Sequence, residues 1–209
     1  MTSRPIRILL ADDHEIARGG IAVLLGTQSD LEVVGVAPDG AKAMSMYREL
    51  RPDVLIADLK MPVFDGLSVT STLCEEFPSA KILILSHYDG DEDIFRALKA
   101  GARGYLTKDT RGQELIAAIR KIAAGGTFIP PHLAEGLTQR LLKPTLTPRE
   151  QQILQLMAQG LTNRNISTTL GIAERTVGLH VGHVLEKLDA ATRTEAVAVA
   201  MRRGLIRDP

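Results

Sequence analysis

Two hydrophobic rhythms divide the chain. Up to about residue 125, short apolar runs alternate with stretches of helical period. The runs at 6–11, 32–37, 54–57, 81–86 and 104–106 are apolar nearly throughout rather than every second residue. That pattern predicts strands buried on both faces of a sheet. The stretches near 14–26, 41–50, 66–76, 91–100 and 112–124 carry apolar residues at helical spacing. Strand and helix in strict alternation predict a five-stranded, doubly wound parallel α/β sheet with right-handed crossovers.

After Gly125-Gly126 the rhythm changes. Pro130-Pro131 opens a short helical stretch over 132–142, and Lys143-Pro144-Thr145 reads as a linker. From Leu146 onward only helices are predicted. Thr147-Pro148-Arg149-Glu150 is a strong start signal: a threonine N-cap, a proline at the first helical position and a glutamate completing a capping box. That helix ends at Gly160. A second, capped by Thr162, runs to Leu170 before Gly171. A third spans 174–188, and a fourth spans 193–203 before Gly204. The division is therefore 1–128, an α/β domain; 129–145, a linker with a short helix; and 146–209, a smaller all-α domain.

Composition narrows the class. Hydrophobic residues make up 44% of the 209 residues, enough for packed cores, but aromatics are only 3% and tryptophan is absent. The cores must be built from aliphatic residues. A single cysteine, Cys74, rules out an internal disulfide and fits a reducing compartment. No apolar run reaches the length of a membrane span, so a cytoplasmic protein is expected. The net charge of zero conceals an asymmetry: residues 1–130 carry 15 basic and 18 acidic residues, and residues 131–209 carry 10 and 7. An acidic front and a basic back point to different partners.

In open α/β sheets, function gathers at the carboxyl ends of the strands. Those ends hold Asp12-Asp13, Asp58, Ser86 and, just beyond the fifth strand, Lys108. Crowded carboxylates repel one another and call for a cation. Oxygen ligands with room for water and phosphate suit Mg²⁺. A lysine and a hydroxyl opposite the metal complete a site for phosphoryl transfer to a carboxylate. Each feature alone is more often a turn, a cap or a solvated charge. Their conjunction at successive strand ends carries the reading.

The opening Leu9-Leu10-Ala11-Asp12-Asp13-His14, the segment Ala57-Asp58-Leu59-Lys60-Met61-Pro62, Asp65-Gly66, Ser86 and Tyr105-Leu106-Thr107-Lys108 resemble the receiver domain of two-component response regulators. The resemblance covers about residues 4–125. It implies that Asp58 accepts phosphate from a sensor histidine kinase. Asp12, Asp13 and Asp58 would hold Mg²⁺ with the backbone carbonyl of Lys60. Lys108 would pair with the phosphoryl oxygens. Ser86 and Tyr105 would be the switch pair, one swinging toward the phosphate and the other turning inward. Chemistry would be limited to Mg²⁺-dependent self-phosphotransfer, without turnover as an enzyme.

The second and third C-terminal helices, joined around Gly171-Ile172-Ala173, have helix-turn-helix proportions. On the third, Val177, Val181, Val184 and Leu188 form the core stripe. Arg175, Leu179, Gly182 and Glu186 lie opposite, flanked by Gly178 and His183, on the face expected in a major groove. Leu146–Glu150, Ala158–Ile166, Leu170–Ile172, Glu174–Val177, His180-Val181, Leu185–Leu188 and Arg193–Ala196 resemble the LuxR-type domain of NarL/FixJ-family regulators. That resemblance implies binding to double-stranded promoter DNA as a homodimer paired through the fourth helix, with RNA polymerase as a further partner. The DNA contacts assigned are Arg164, Arg175, Thr176, Leu179, His180, His183 and Lys187.

Four positions depart from that family's pattern. Asn165 stands in place of a glutamate, and Ala173 in place of a serine N-cap. Gly178 and Gly182 stand where longer, often basic side chains are usual. The glycines either let the backbone approach DNA closely or weaken base reading. His180 and His183 have a metal-compatible spacing. With no third ligand nearby in sequence, a structural or DNA-facing role is favoured for them. An aspartyl-phosphate phosphatase is disfavoured, because Leu59-Lys60 follows Asp58 where such enzymes carry a second aspartate. A nicotinamide enzyme is disfavoured by the lack of a glycine-rich loop after the first strand. An interaction protein whose helix-turn-helix no longer binds DNA remains the second alternative, and Gly178 and Gly182 motivate it.

Overall fold

The computed structural model describes residues 4–87, 90–134, 137 and 144–206. Contacts divide the chain into an α/β unit of residues 1–89 and 94–134 and a helical unit of residues 90–93 and 135–209. Each is described by itself. Most of the short helix expected over 132–142, and Lys143 of the linker, lie outside the described residues.

In the first unit the strands are β1 (Ile6–Ala11), β2 (Leu31–Ala37), β3 (Val54–Asp58), β4 (Ile82–Ser86) and β5 (Gly104–Thr107). The helices are α1 (Glu15–Gly26), α2 (Gly40–Leu50), α3 (Gly66–Glu76), α4 (Asp91–Lys99) and α5 (Gly112–Ala123). All strand pairs are parallel, in the order β2-β1-β3-β4-β5. Every residue of β3 and β4 is buried, as continuous apolar runs demand. Ile8, Leu10, Ile56, Leu83 and Leu85 pack with Leu115, Ile119 and Ile122 of α5. The register sets Ala11 opposite Ala57. The residues that follow, Asp12 and Asp58, therefore share one edge.

The loop from β3 to α3 is tightly constrained. Asp65 caps α3 by accepting a hydrogen bond from the Ser68 amide at 2.8 Å. Gly66 packs its Cα against the backbone of the strand end, and a Cβ there would collide with the Asp58 carbonyl oxygen. Val63 in the same loop has φ +69°, a left-handed conformation unfavourable for a β-branched residue.

In the second unit the helices are α6 (Pro148–Ala158), α7 (Asn163–Leu170), α8 (Glu174–Leu188) and α9 (Arg193–Arg202). The capping box at Thr147 and Glu150 forms on both sides. Thr162 caps α7 through the Asn165 amide at 3.3 Å, so half of that cap survives without a glutamate. Ala173 gives α8 no side-chain cap. Gly171 ends α7 at φ +64°, the left-handed turn that glycine adopts without strain. Ile153, Leu154, Met157, Ile166, Val177, Val184, Leu188, Ala196 and Ala200 form the core.

Candidate phosphoacceptor site and nucleic-acid interface

The carboxyl edge of the sheet assembles the acidic residues as expected. Asp12 is 1% exposed and Asp58 3%. The Lys108 Nζ sits between them, 2.7 Å from Asp12 Oδ2 and 2.9 Å from Asp58 Oδ2. β5 delivers it: the Lys108 amide donates to the Ser86 carbonyl at 2.7 Å, extending the β4–β5 ladder. Ser86 and Tyr105 are both fully buried. Neither side chain reaches solvent. Asp13 lies at the more exposed rim.

His14, a residue of the Asp12-Asp13-His14 motif with no role predicted from sequence, joins this cluster. Its Nδ1 is 2.9 Å from Asp13 Oδ1, and its amide donates to Asp12 Oδ1 at 2.8 Å. Asp12, Asp13, His14 and Asp58 each offer one ligand atom, all within 4.8 Å of one another. Burial pushes the Asp58 carboxyl up. Lys108 opposes that shift through its hydrogen bond and charge, Asp12 adds to it, and the Lys60 amide opposes it. Burial pulls the Lys108 ammonium down, but its bonds to Asp12 and Asp58 outweigh that and hold it above its ordinary value. The site thus concentrates negative charge against a single buried cation, an arrangement suited to a divalent ion of the hard, oxygen-seeking kind.

On α8 the predicted division of faces is present. Val177, Val184 and Leu188 are buried and Val181 is partly so. Arg175, Gly178, Leu179, Gly182, His183 and Glu186 are exposed. Arg164, on α7, is exposed, and Thr176 is half-buried. Leu179 is 59% exposed, a large apolar side chain on the face assigned to the groove. Two of the assigned DNA contacts are turned at least partly into the unit. The Lys187 Nζ is 2.7 Å from Glu150 Oε2, and the Nδ1 of His180 is buried. The pairing links residues 37 positions apart, so no local pattern signals it.

A Cβ added at Gly178 or Gly182 would meet nothing within 4 Å. Neither glycine is required by packing. Gly178→Ala and Gly182→Ala are each expected to raise the stability of the helical unit by about 1 kcal/mol, the glycine cost in a helix interior. Thermal unfolding of the single and double variants checks this, and unchanged midpoints would count against it.

Two family models match the chain in succession: "Response regulator receiver domain" over residues 8–120, and "Bacterial regulatory proteins, luxR family" over residues 144–200. The chain belongs to the response regulators. It joins a receiver to a LuxR-type DNA-binding domain, the arrangement of phosphorylation-controlled transcription regulation. The regulator is 37% identical to the oxygen regulatory protein NreC of Staphylococcus carnosus, over 96% of this chain and 99% of that protein. It is also 37% identical to the response regulator protein VraR of Staphylococcus aureus, with the same coverage. Among solved structures it resembles the response regulator ChrA of a heme-sensing two-component system. That match has 37% identity and a TM-score of 0.59, and covers 98% of this chain and 100% of that one. Among the described residues, no helix of the regulator is long and apolar enough to cross a membrane.

Proposed function

We propose that Asp58 is the phosphoacceptor of this regulator, and that its phosphorylation by a sensor histidine kinase controls promoter binding by the helical unit. The observation that carries the reading is the buried Lys108 bridging Asp12 and Asp58 at 2.7 and 2.9 Å. A carboxylate oxygen of Asp58 attacks phosphorus, and the P–N bond to the kinase histidine breaks. The leaving imidazole keeps the bonding pair, and an acyl phosphate forms. Asp12, Asp13, Asp58 and the backbone carbonyl of Lys60 are the residues that would hold Mg²⁺, which supplies charge neutralisation for the transferred group. Lys108 is already placed to pair with phosphoryl oxygens. Ser86 and Tyr105, buried on adjacent strands, are the side chains through which phosphate contacts would shift the population between two states.

In the helical unit, Arg164, Arg175, Thr176, Leu179 and His183 are the residues best presented to double-stranded DNA. His180 and Lys187 contribute chiefly by fixing α8. The α9 helix is the proposed homodimer face, and RNA polymerase is a further proposed partner. Nothing in this mechanism requires substrate turnover beyond self-phosphotransfer, and the whole of it fits a cytoplasmic setting.

The test is an anisotropy titration of labelled promoter DNA against the full-length protein, with and without a small-molecule phosphodonor and Mg²⁺. Phosphorylation should tighten binding, and affinity should fall steeply with salt. Binding that is absent at low salt in both states would favour a regulator acting through protein contacts instead.

A further inference from the structure

Among the described residues outside the receiver, one other cluster has the composition of a metal site. Glu150 of α6 and His180 and His183 of α8 each present a ligand atom, all within 4.8 Å of one another. The two histidines lie three residues apart on one helix, so their rings project from the same side. Glu150 is 3% exposed, and its two oxygens do different things. Oε2 accepts from the Thr147 amide and from Lys187, both at 2.7 Å. Oε1 faces the His183 Nδ1 at 3.8 Å, too far for a hydrogen bond. The His180 Nδ1 is buried with no hydrogen-bond partner. A buried, unpaired ring nitrogen is costly to retain unless something binds it.

We propose that Glu150, His180 and His183 form a site for a divalent transition ion of the Zn²⁺ class, pinning the recognition helix to α6. Two imidazoles and one carboxylate suit Zn²⁺, Ni²⁺, Cu²⁺ or Co²⁺, and not Mg²⁺ or Ca²⁺. Bonds of about 2.0–2.2 Å bring tetrahedral ligand atoms to within roughly 3.5 Å of one another, so the cluster must close by about 1 Å. The His183 side chain is 57% exposed and has the freedom to supply that movement. The contacts of Oε2 to Thr147 and Lys187 hold the carboxylate in place and leave Oε1 for the ion. A fourth position stays open to solvent beside His183. The third ligand comes from a different helix, which is why the His180–His183 spacing alone did not reveal the site.

The experiment is calorimetric titration of the full-length protein with Zn²⁺ in excess Mg²⁺, so that the oxygen-rich receiver site is already filled. Visible absorption with Co²⁺ runs alongside it. One Zn²⁺ per chain is expected, together with the Co²⁺ bands of a site with nitrogen ligands. His183→Gln should weaken Zn²⁺ binding on the order of 100-fold or more, above the range for loss of an outer-shell partner. Its helical circular dichroism should be unchanged, because the side chain is exposed. His14→Gln, at the receiver edge, should leave Zn²⁺ binding intact. The proposal is overturned if no saturable Zn²⁺ binding is seen. It is equally overturned if His183→Gln binds as the parent does, or if binding is lost with His14→Gln instead.

Discussion

Asp58→Asn protein is expected to carry no hydroxylamine-labile phosphate after treatment with a phosphodonor and Mg²⁺, and yet to melt at a higher temperature than the parent in EDTA at neutral pH. The first outcome follows from loss of the nucleophilic oxygen. The second follows from electrostatics. The Asp58 carboxyl is held above the ordinary value of an aspartate, with burial the leading cause. A carboxyl raised in the folded state binds more protons there than in the unfolded chain. Stability therefore falls as pH rises through the window between the unfolded value and the folded one, and the deficit persists above it. Each unit of that shift corresponds to about 1.4 kcal/mol. An asparagine of the same shape carries no such deficit, and Lys108 keeps Asp12 as its partner. The advantage of the variant should shrink as pH is lowered toward the ordinary aspartate value. Phosphate retained on the variant would falsify the site assignment. A melting difference that is absent, or flat with pH, would show that Asp58 is not strained by burial.

The receiver was legible because its signals are local and repeated. Each strand is a continuous apolar run, and each functional residue stands at the end of one. The parallel register then converts sequence position into spatial proximity, as with Ala11 opposite Ala57 and the Asp12 and Asp58 that follow. The strand bounds moved by no more than one residue between the pattern and the fold. In the helical unit the caps were equally legible, since Thr147, Thr162 and Gly171 act on their own neighbours. What escaped was non-local. Glu150 announced itself only as a capping-box residue, and that role occupies one of its oxygens. Its pairing with Lys187 and its position beside His180 and His183 depend on how α6 crosses α8. Periodicity on α8 gives the buried face, but it does not say which helix covers it. For the same reason Lys187 read as a DNA contact, although its charge pairs with Glu150 inside the unit. His14 escaped differently: a motif residue beside two aspartates drew no role of its own, and only the turn after β1 brings its ring back to Asp13.

Lys108→Met should have the largest effect on the stability of the receiver, and Mg²⁺ should reverse much of it. The Lys108 side chain is 6% exposed and lies within 2.9 Å of both Asp12 and Asp58, which are 2% and 4% exposed at their side chains. Removing one partner of a buried ion pair and leaving the other charged costs about 3–5 kcal/mol. Here two carboxylates are left facing each other. The ammonium is held above the ordinary value of a lysine, so its contribution is fully present below that value and is lost only as pH rises through the folded one. At neutral pH the parent has all of it and the variant has none. As pH falls, the orphaned Asp58 carboxylate takes up a proton and the gap should narrow. A divalent ion replaces the missing charge, so Mg²⁺ at about 100 times its dissociation constant should return on the order of 2.7 kcal/mol by mass action. Thermal unfolding in EDTA and in Mg²⁺, at neutral and mildly acidic pH, measures all three effects. If the variant in EDTA is as stable as the parent, the bridge contributes nothing net. If Mg²⁺ stabilises the variant no more than the parent, the ion does not sit against the charges that Lys108 neutralises.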